Sequence, residues 1–241
     1  MKLLALDTSN RPLSVAVLDD GQLLAMTTTN IRKNHSIQLL PIIEALVKQA
    51  GITVQDLDRI VVADGPGSYT GLRIATTTAK TLAYTLNIDL VAISSLRALA
   101  ANVIDENRLI VPLFDARREN VFAGIYERTS DGLVSVMDDQ HLSIKELAAQ
   151  LLGMQKPVWF VGQDVATYAA FVQDQLGSNF HQVSDALNLP NAFALGNLGL
   201  HAEPVAHPFN FVPRYLRLTE AEVEWKKRHP QEDTKPYVER N

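Results

Sequence analysis

The chain contains no cysteine, which excludes disulfides, thiolate nucleophiles and cysteine-ligated zinc, and fits a reducing compartment. Histidine is sparse. The six, His35, His141, His181, His201, His207 and His229, form neither a His-x-x-x-His pair nor an HExxH run. A metallopeptidase would need such a pair on one helix face to hold its metal. Positive charge is also in deficit, with 22 Lys and Arg against 27 Asp and Glu and a net charge of −5. Independent binding to nucleic acid depends on a basic surface that displaces counterions, so this balance argues against it. There is no apolar run of bilayer length, and the short N-terminal one, Leu3 to Leu6, meets an acid at Asp7. Neither a membrane span nor a signal peptide is expected, and the reading is a soluble, cytoplasmic protein with no membrane partner.

What the chain does have is length and apolar content: 241 residues, 46% hydrophobic, enough to bury a sizeable core in one large or two modest domains. Leu3 to Leu6, Leu13 to Leu18 and Gln22 to Thr28 read as three opening strands, the last two a hairpin around Asp19-Asp20-Gly21. Ser36 to Ala50 has apolar Leu39, Ile43 and Leu46 at helical spacing, with Ser36 as the expected N-cap and Gly51 as the stop. Pro41 predicts an irregularity in its first turns. Strand Ile60 to Ala63, a helix from about Thr70 to Leu86, strand Leu90 to Ile93 and helix Leu96 to Val103 complete a first half. From Arg108 the pattern restarts: strands Leu109 to Phe114, Asn120 to Tyr126 and Gly132 to Met137, then helix Ser143 to Leu152, strand Val158 to Val161, and helices Val165 to Leu176 and Ala192 to His201. Two similar halves, each opening on a strand that ends in aspartate (Asp7 and Asp115), suggest a structural duplication in an α/β fold of mixed sheets.

The most informative stretch is Asp64-Gly65-Pro66-Gly67-Ser68-Tyr69-Thr70-Gly71-Leu72-Arg73, which joins an apolar strand to a long helix. Free helix-start amides at such a bend suit a phosphate, a carboxylate or a closely approaching backbone. It is not a P-loop, because no Gly-Lys-Ser/Thr follows. A ligand-free tight turn is the commoner outcome for an isolated glycine-rich bend. Arg73, Arg117 and Arg118 could fork onto an anion, although ordinary ion pairing is the usual fate of such arginines.

The paired strand-then-aspartate halves resemble the actin/Hsp70/sugar-kinase (ASKHA) superfamily. Asp7-Thr8-Ser9, His35-Ser36, the Asp64 to Arg73 run and Asp115-Ala116-Arg117 together resemble the TsaB (YeaZ) family of tRNA threonylcarbamoyladenosine biosynthesis proteins, over most of the chain. That resemblance implies two tandem RNase H-like, actin-like domains, each a mixed sheet flanked by helices. Residues 1–104 would form the first, completed by a C-terminal helix at about 207–229; residues 105–206 a second, degenerate one; residues 230–241 a loose charged tail. It also implies a pseudo-enzyme that supports TsaD as TsaD moves the threonylcarbamoyl group from threonylcarbamoyl-AMP to adenosine 37 of ANN-decoding tRNAs. TsaE would join the pair, tRNA would be met only through the complex, and the chain would pair with itself when TsaD is absent. The implied interface lies on the first two helices, at Leu39, Ile43, Leu46, Tyr69, Leu72, Thr76, Ala79, Lys80 and Ala83.

Within that resemblance, catalytic residues are expected to be absent. Where TsaD carries its metal-binding histidine pair, this chain reads Ala92-Ile93-Ser94-Ser95-Leu96-Arg97-Ala98-Leu99, so no metal site is expected. The superfamily's phosphate loops need glycine after the strand-end acids, but Thr8-Ser9 and Ala116-Arg117 follow Asp7 and Asp115, and Gly162 stands alone where a glycine pair would grip adenosine. No cofactor is expected on the isolated chain, with ATP or ADP at the complex boundary. Asp7, Thr8, Ser9, Gly65, Gly67, Ser68, Arg73, Asp115 and Arg117 are the candidate anion-proximal or nucleotide-proximal residues. The alternative is an ATP-dependent small-molecule kinase of the same superfamily, favoured by the two retained acids; a metallopeptidase lacks its ligands. The ending Pro213-Arg214-Tyr215-Leu216-Arg217 is expected to dock back on the first domain.

Overall fold

A computed structural model describes residues 1–31, 34–130 and 132–217. The first half forms strands β1 (Lys2–Asp7), β2 (Leu13–Asp19) and β3 (Gln22–Thr29), helix α1 (His35–Gln49), β4 (Arg59–Gly65), α2 (Tyr69–Leu86), β5 (Asp89–Ser94) and α3 (Ser95–Ala100). The second forms β6 (Leu109–Asp115), β7 (Asn120–Thr129), β8 (Gly132–Ser143), α4 (Ile144–Met154), β9 (Val158–Val161), α5 (Val165–Leu176) and β10 (Phe180–Gln182), followed by α6 (Ala192–Leu200). The first sheet runs β3-β2-β1-β4-β5 and the second β8-β7-β6-β9-β10. In each, the opening three strands are antiparallel and the last two join in parallel. The duplication expected from the two strand-end acids is therefore present at the level of topology.

Strand β1 is buried on both faces, which explains its unbroken apolar run. Leu4 and Leu6 pack with Leu39, Ile43 and Leu46 of α1 and Ala75, Ala79 and Ala83 of α2; Leu3 and Ala5 face α6 through Ala192 and Leu195. The second sheet repeats this plan, with Val111 and Leu113 under α4 and α5. Its other face, at Ile110 and Phe114, is covered by Leu96, Leu99 and Val103 from the end of the first half. The layers run α1/α2, sheet, α3/α6, sheet, α4/α5.

Several expectations change. Asn34, not Ser36, caps α1: its side chain accepts the Ser36 amide at 3.1 Å, and the helix continues through Pro41. The range 105–206 includes α6, but α6 packs on the first sheet, its first amide held by the buried Ser14 hydroxyl at 3.0 Å. Residues 207–217 are not helical beyond a single turn at Pro208–Asn210. They run back along α2, where Phe209 meets Tyr84 with ring centres 6.4 Å apart, the Phe211 carbonyl accepts from Lys80 Nζ at 2.8 Å, and Tyr215 meets Tyr69 at 5.1 Å. The expected continuation of that segment to 229 and the tail 230–241 lie outside the described residues. Strand β10 has no signal in the sequence pattern; its three residues are too few to show a period.

Candidate functional site

The space beside the glycine-rich bend holds the protein's own backbone. A Cβ on Gly67 would lie 2.1 Å from the Ser9 carbonyl oxygen, and one on Gly71 would lie 2.0 Å from that of Thr8. The contact is bonded on both sides: Ser68 N donates to Ser9 O at 2.6 Å, and Thr8 Oγ1 donates to Gly71 O at 2.7 Å. The turn that would have presented Thr8 and Ser9 to a phosphate instead fills the bend. Ser68 N-caps α2 by accepting the Gly71 amide at 3.3 Å, and Arg73 lies over the Tyr69 ring at 4.8 Å. The second half uses the same device, since a Cβ on Gly162 would meet the Leu113 carbonyl oxygen at 2.4 Å.

Asp7 and Asp115 are not brought to one site. Asp7 is buried, accepts the Ser9 amide at 2.8 Å, and is pushed above the usual carboxylate range chiefly by desolvation. Asp115 is exposed and accepts from Arg117 N at 2.9 Å and Tyr168 OH at 2.6 Å. Residues 117–119 all take left-handed φ, between 55° and 67°, and turn Arg117 outward. Between the halves, Asp7, Ser9, Ser95, Phe114, Gln163 and Asn188 enclose a cavity of about 10 Å³, room for roughly one water and far too small for a nucleotide. Among the described residues no three His, Cys, Asp or Glu groups come together as a metal would need.

The junction of the halves is instead closed by a polar cluster that the sequence did not disclose. Asp139 on β8 has a buried side chain, 2% exposed, that accepts from Ser94 Oγ at 2.5 Å, Tyr126 OH at 2.5 Å and Arg214 at 2.8 Å. Arg214 also donates to the Gly65 carbonyl at 3.0 Å, while its backbone amide bonds the Asp64 carbonyl at 2.8 Å, so the C-terminal segment docks on the first half as expected. Arg217 reaches across to the Ala116 carbonyl at 2.8 Å. Five elements converge here from distant parts of the chain, and no spacing rule could have joined Asp139 to Arg214. The adjacent acids Asp138-Asp139 on a strand were the available signal.

Asp64 is the unsatisfied member of this cluster. Its Oδ1 is buried without a hydrogen-bond partner and lies 3.7 Å from Arg214, which is engaged with Asp139. Burial pushes its carboxyl up to about 6 from 3.8, against the opposing pull of Arg214. A raised acid binds its proton more tightly when folded, so this group favours folding most below the unfolded value and less as pH rises from about 4 to about 6. Asp64→Asn should remove that slope. The variant's unfolding free energy minus the wild type's is expected to grow by about 2 kcal/mol between about pH 4.5 and 7 in urea titrations. A difference that shrinks over the same range would show that Arg214 keeps Asp64 ionised.

The residues assigned to a partner interface are mostly inward. Leu39, Ile43, Leu46, Leu72, Thr76, Ala79 and Ala83 are buried in this chain's own core. Helical periodicity identifies the face that packs, and a lone helix on a sheet spends that face on its own sheet. Lys80 is held by the Phe211 carbonyl; Tyr69 remains exposed. The outer surface of the two helices carries Ile37 (72% exposed) and Leu40 (57%), with Tyr69, Arg73 and Thr77 across a groove of about 470 Å³. A larger groove of about 610 Å³ lies far from these helices, between residues 102–107 and Trp159, whose ring is covered by Arg108 and His181.

Two sheets of identical strand order, covered by helices on both faces and joined over a narrow cleft, define an actin-like, ASKHA-type fold. The family described as TsaD, tRNA N6-adenosine threonylcarbamoyltransferase, matches residues 22–225. A Bacillus subtilis tRNA threonylcarbamoyladenosine biosynthesis protein TsaB is 40% identical over 93% of this chain and 98% of its own length. A Haemophilus influenzae protein of the same name is 27% identical over 94% and 97%. Among solved structures, YeaZ from Pseudomonas aeruginosa superposes with a TM-score of 0.75 at 27% identity, covering 89% of this chain and 99% of that one. The chain belongs to this family, in its TsaB (YeaZ) group.

Proposed function

We propose that the protein serves the synthesis of threonylcarbamoyladenosine on tRNA as a non-catalytic partner of TsaD. The observation that carries this reading is the closed junction: the cleft between the halves, over which members of the superfamily close on a nucleotide, holds room for roughly one water here, and Thr8 and Ser9 pack against the bend. The names of its relatives supply the pathway, and the match to the TsaD family supports TsaD as the partner. ATP or ADP, TsaE and tRNA are then met only in the complex. The retained Asp7 does not favour a kinase, because it is sealed from solvent and bonded to its own turn.

Pairing is assigned to the outer face of α1 and α2, at Ile37, Leu40, Tyr69 and Arg73, where exposed apolar groups cluster. Without TsaD the same face pairs two copies of this chain. Light scattering after size exclusion is expected to show a heterodimer forming with TsaD at the expense of a homodimer. Leu40→Arg places a charge in that interface without touching the core, and should weaken pairing at least about a hundredfold while leaving the melting temperature within a few degrees. Unchanged pairing of Leu40→Arg would move the interface elsewhere. Micromolar ATP binding to the isolated chain by calorimetry would overturn the non-catalytic reading.

A further inference from the structure

One glycine of the bend is not accounted for by the Thr8–Ser9 turn. A Cβ on Gly65 would lie 2.5 Å from the carbonyl oxygen of Arg214, so this glycine leaves room for the returning C-terminal segment. The segment is bonded there twice, from the Arg214 amide to the Asp64 carbonyl at 2.8 Å and from its guanidinium to the Gly65 carbonyl at 3.0 Å. The second half has a matching seat. Strand β7 slips register against β8 around Gly124, and a Cβ at that position would lie 2.6 Å from Asp139 Oδ1. The bulge thus makes space for the carboxylate that Arg214 meets.

Arg214 therefore stands between two acids of different halves. Its Nη2 is 2.8 Å from Asp139 on β8 and 3.7 Å from Asp64 on β4, side chains that are 2% and 16% exposed. Among the described residues no other cation lies within ion-pair distance of either acid. The other groups on Asp139, Ser94 Oγ from β5 and Tyr126 OH from β7, are neutral donors. Buried carboxylates that lose their counterion are strongly disfavoured, and two that face each other more so. Water entering between the halves would also relieve Ser9 Oγ, which is buried without a partner, and the desolvated Asp7.

We infer that residues 213–217 form an electrostatic latch: Arg214 holds the halves together by neutralising Asp64 and Asp139 at once, and without it the two acids repel and the cleft lined by Asp7 and Ser9 opens. Arg217, bonded to the Ala116 carbonyl, anchors the far end of the latch on the second half. The latch does not depend on the pairing proposed above. Its opening follows the charge of Asp64, which faces Arg214 and Asp139. Burial, and after it Asp139, push that carboxyl up to about 6 against the pull of Arg214. Once Arg214 is removed the pull is gone, so Asp64 is neutral in acid and ionised in alkaline solution.

Because the chain has no cysteine, dyes can be placed on Gln22→Cys in the first half and Gln150→Cys in the second, both exposed. Single-molecule energy transfer at picomolar concentration, where copies do not associate, should show one narrow efficiency in both acid (about pH 5) and alkaline (about pH 8.5) buffer when Arg214 is present. With its circular dichroism unchanged, Arg214→Gln should keep that population in acid and gain a second one in alkaline buffer, raising the open fraction roughly tenfold. Adding Asp64→Asn should remove the second population. A single unchanged efficiency for Arg214→Gln in alkaline buffer overturns the latch. An open population that persists with Asp64→Asn overturns the repulsion of the two acids as its cause. If Arg214→Gln alone does not fold in alkaline buffer, the double variant should fold and stay closed; a double variant that also fails overturns the charge-neutralising role of Arg214.

Discussion

Gly71→Ala is expected to destabilise the protein by about 3 kcal/mol or more, although local propensity alone argues for a gain. Gly71 sits in the first turn of α2, and alanine is the better helix former by about 1 kcal/mol. Against that, the new methyl group would lie 2.0 Å from the Thr8 carbonyl oxygen. A flexible side chain could swing aside; this oxygen belongs to backbone pinned between β1 and the bend. Relief requires the helix start to retreat from the strand end, breaking both the Thr8 Oγ1 bond to Gly71 O and the Ser68 N bond to Ser9 O. Overpacking of that kind costs up to about 3 kcal/mol before any lost hydrogen bonds are added, so the clash outweighs the propensity. Urea unfolding measures the loss directly. A variant as stable as the wild type would mean that the bend does not rest on the Thr8–Ser9 turn.

Arg59→Ala should cost a comparable amount, roughly 3 kcal/mol, by unfastening a helix more than a hundred residues away. Arg59 is 9% exposed, and one guanidinium nitrogen donates to the carbonyls of Gly199, Leu200 and Ala202 at 2.9, 3.0 and 3.1 Å. The other nitrogen pairs with Asp89 at 2.9 Å. The three acceptors are at and just beyond the end of α6, where carbonyls lack helical partners and the dipole favours a cation. Truncation strands them against the first sheet. Arg59→Lys keeps the charge but not the fork, and is expected to recover less than half of the loss. Thermal melts of both variants test this; if neither differs from wild type by more than about 1 kcal/mol, α6 is held by its apolar face alone.

Much of this was legible in the sequence, because the order of elements along the chain follows from where apolar runs and glycine bends fall. The doubled opening of three strands ending in Asp7 and Asp115 announced two actin-like halves, and the relatives agree with the family that the Asp64 to Arg73 run resembles. The site was harder. Leu39, Ile43 and Ala79 were found by their spacing, but spacing marks the side of a helix that is buried, and the chain's own sheet had first claim on it. The exposed side, with Ile37 and Leu40, carries no period of its own. The Asp139, Tyr126 and Arg214 cluster was illegible for another reason: its members meet only after both halves and the returning C-terminal segment are in place.

The arrangement of α3 and α6 bears on how the protein is made. Neither sheet is finished by the stretch of chain that contains it: the second borrows α3 from upstream, and the first is covered on its inner face by α6, which follows the last strand of the second. A ribosome that has completed β5 has released a sheet with Leu3, Ala5, Ala16 and Val61 still facing water on one side. That surface stays bare through the translation of about a hundred further residues, a period in which exposed apolar sheet invites aggregation. A cut at the boundary between the halves would therefore leave each sheet with an uncovered apolar face, and the nascent chain carries that bare face until α6 has been made.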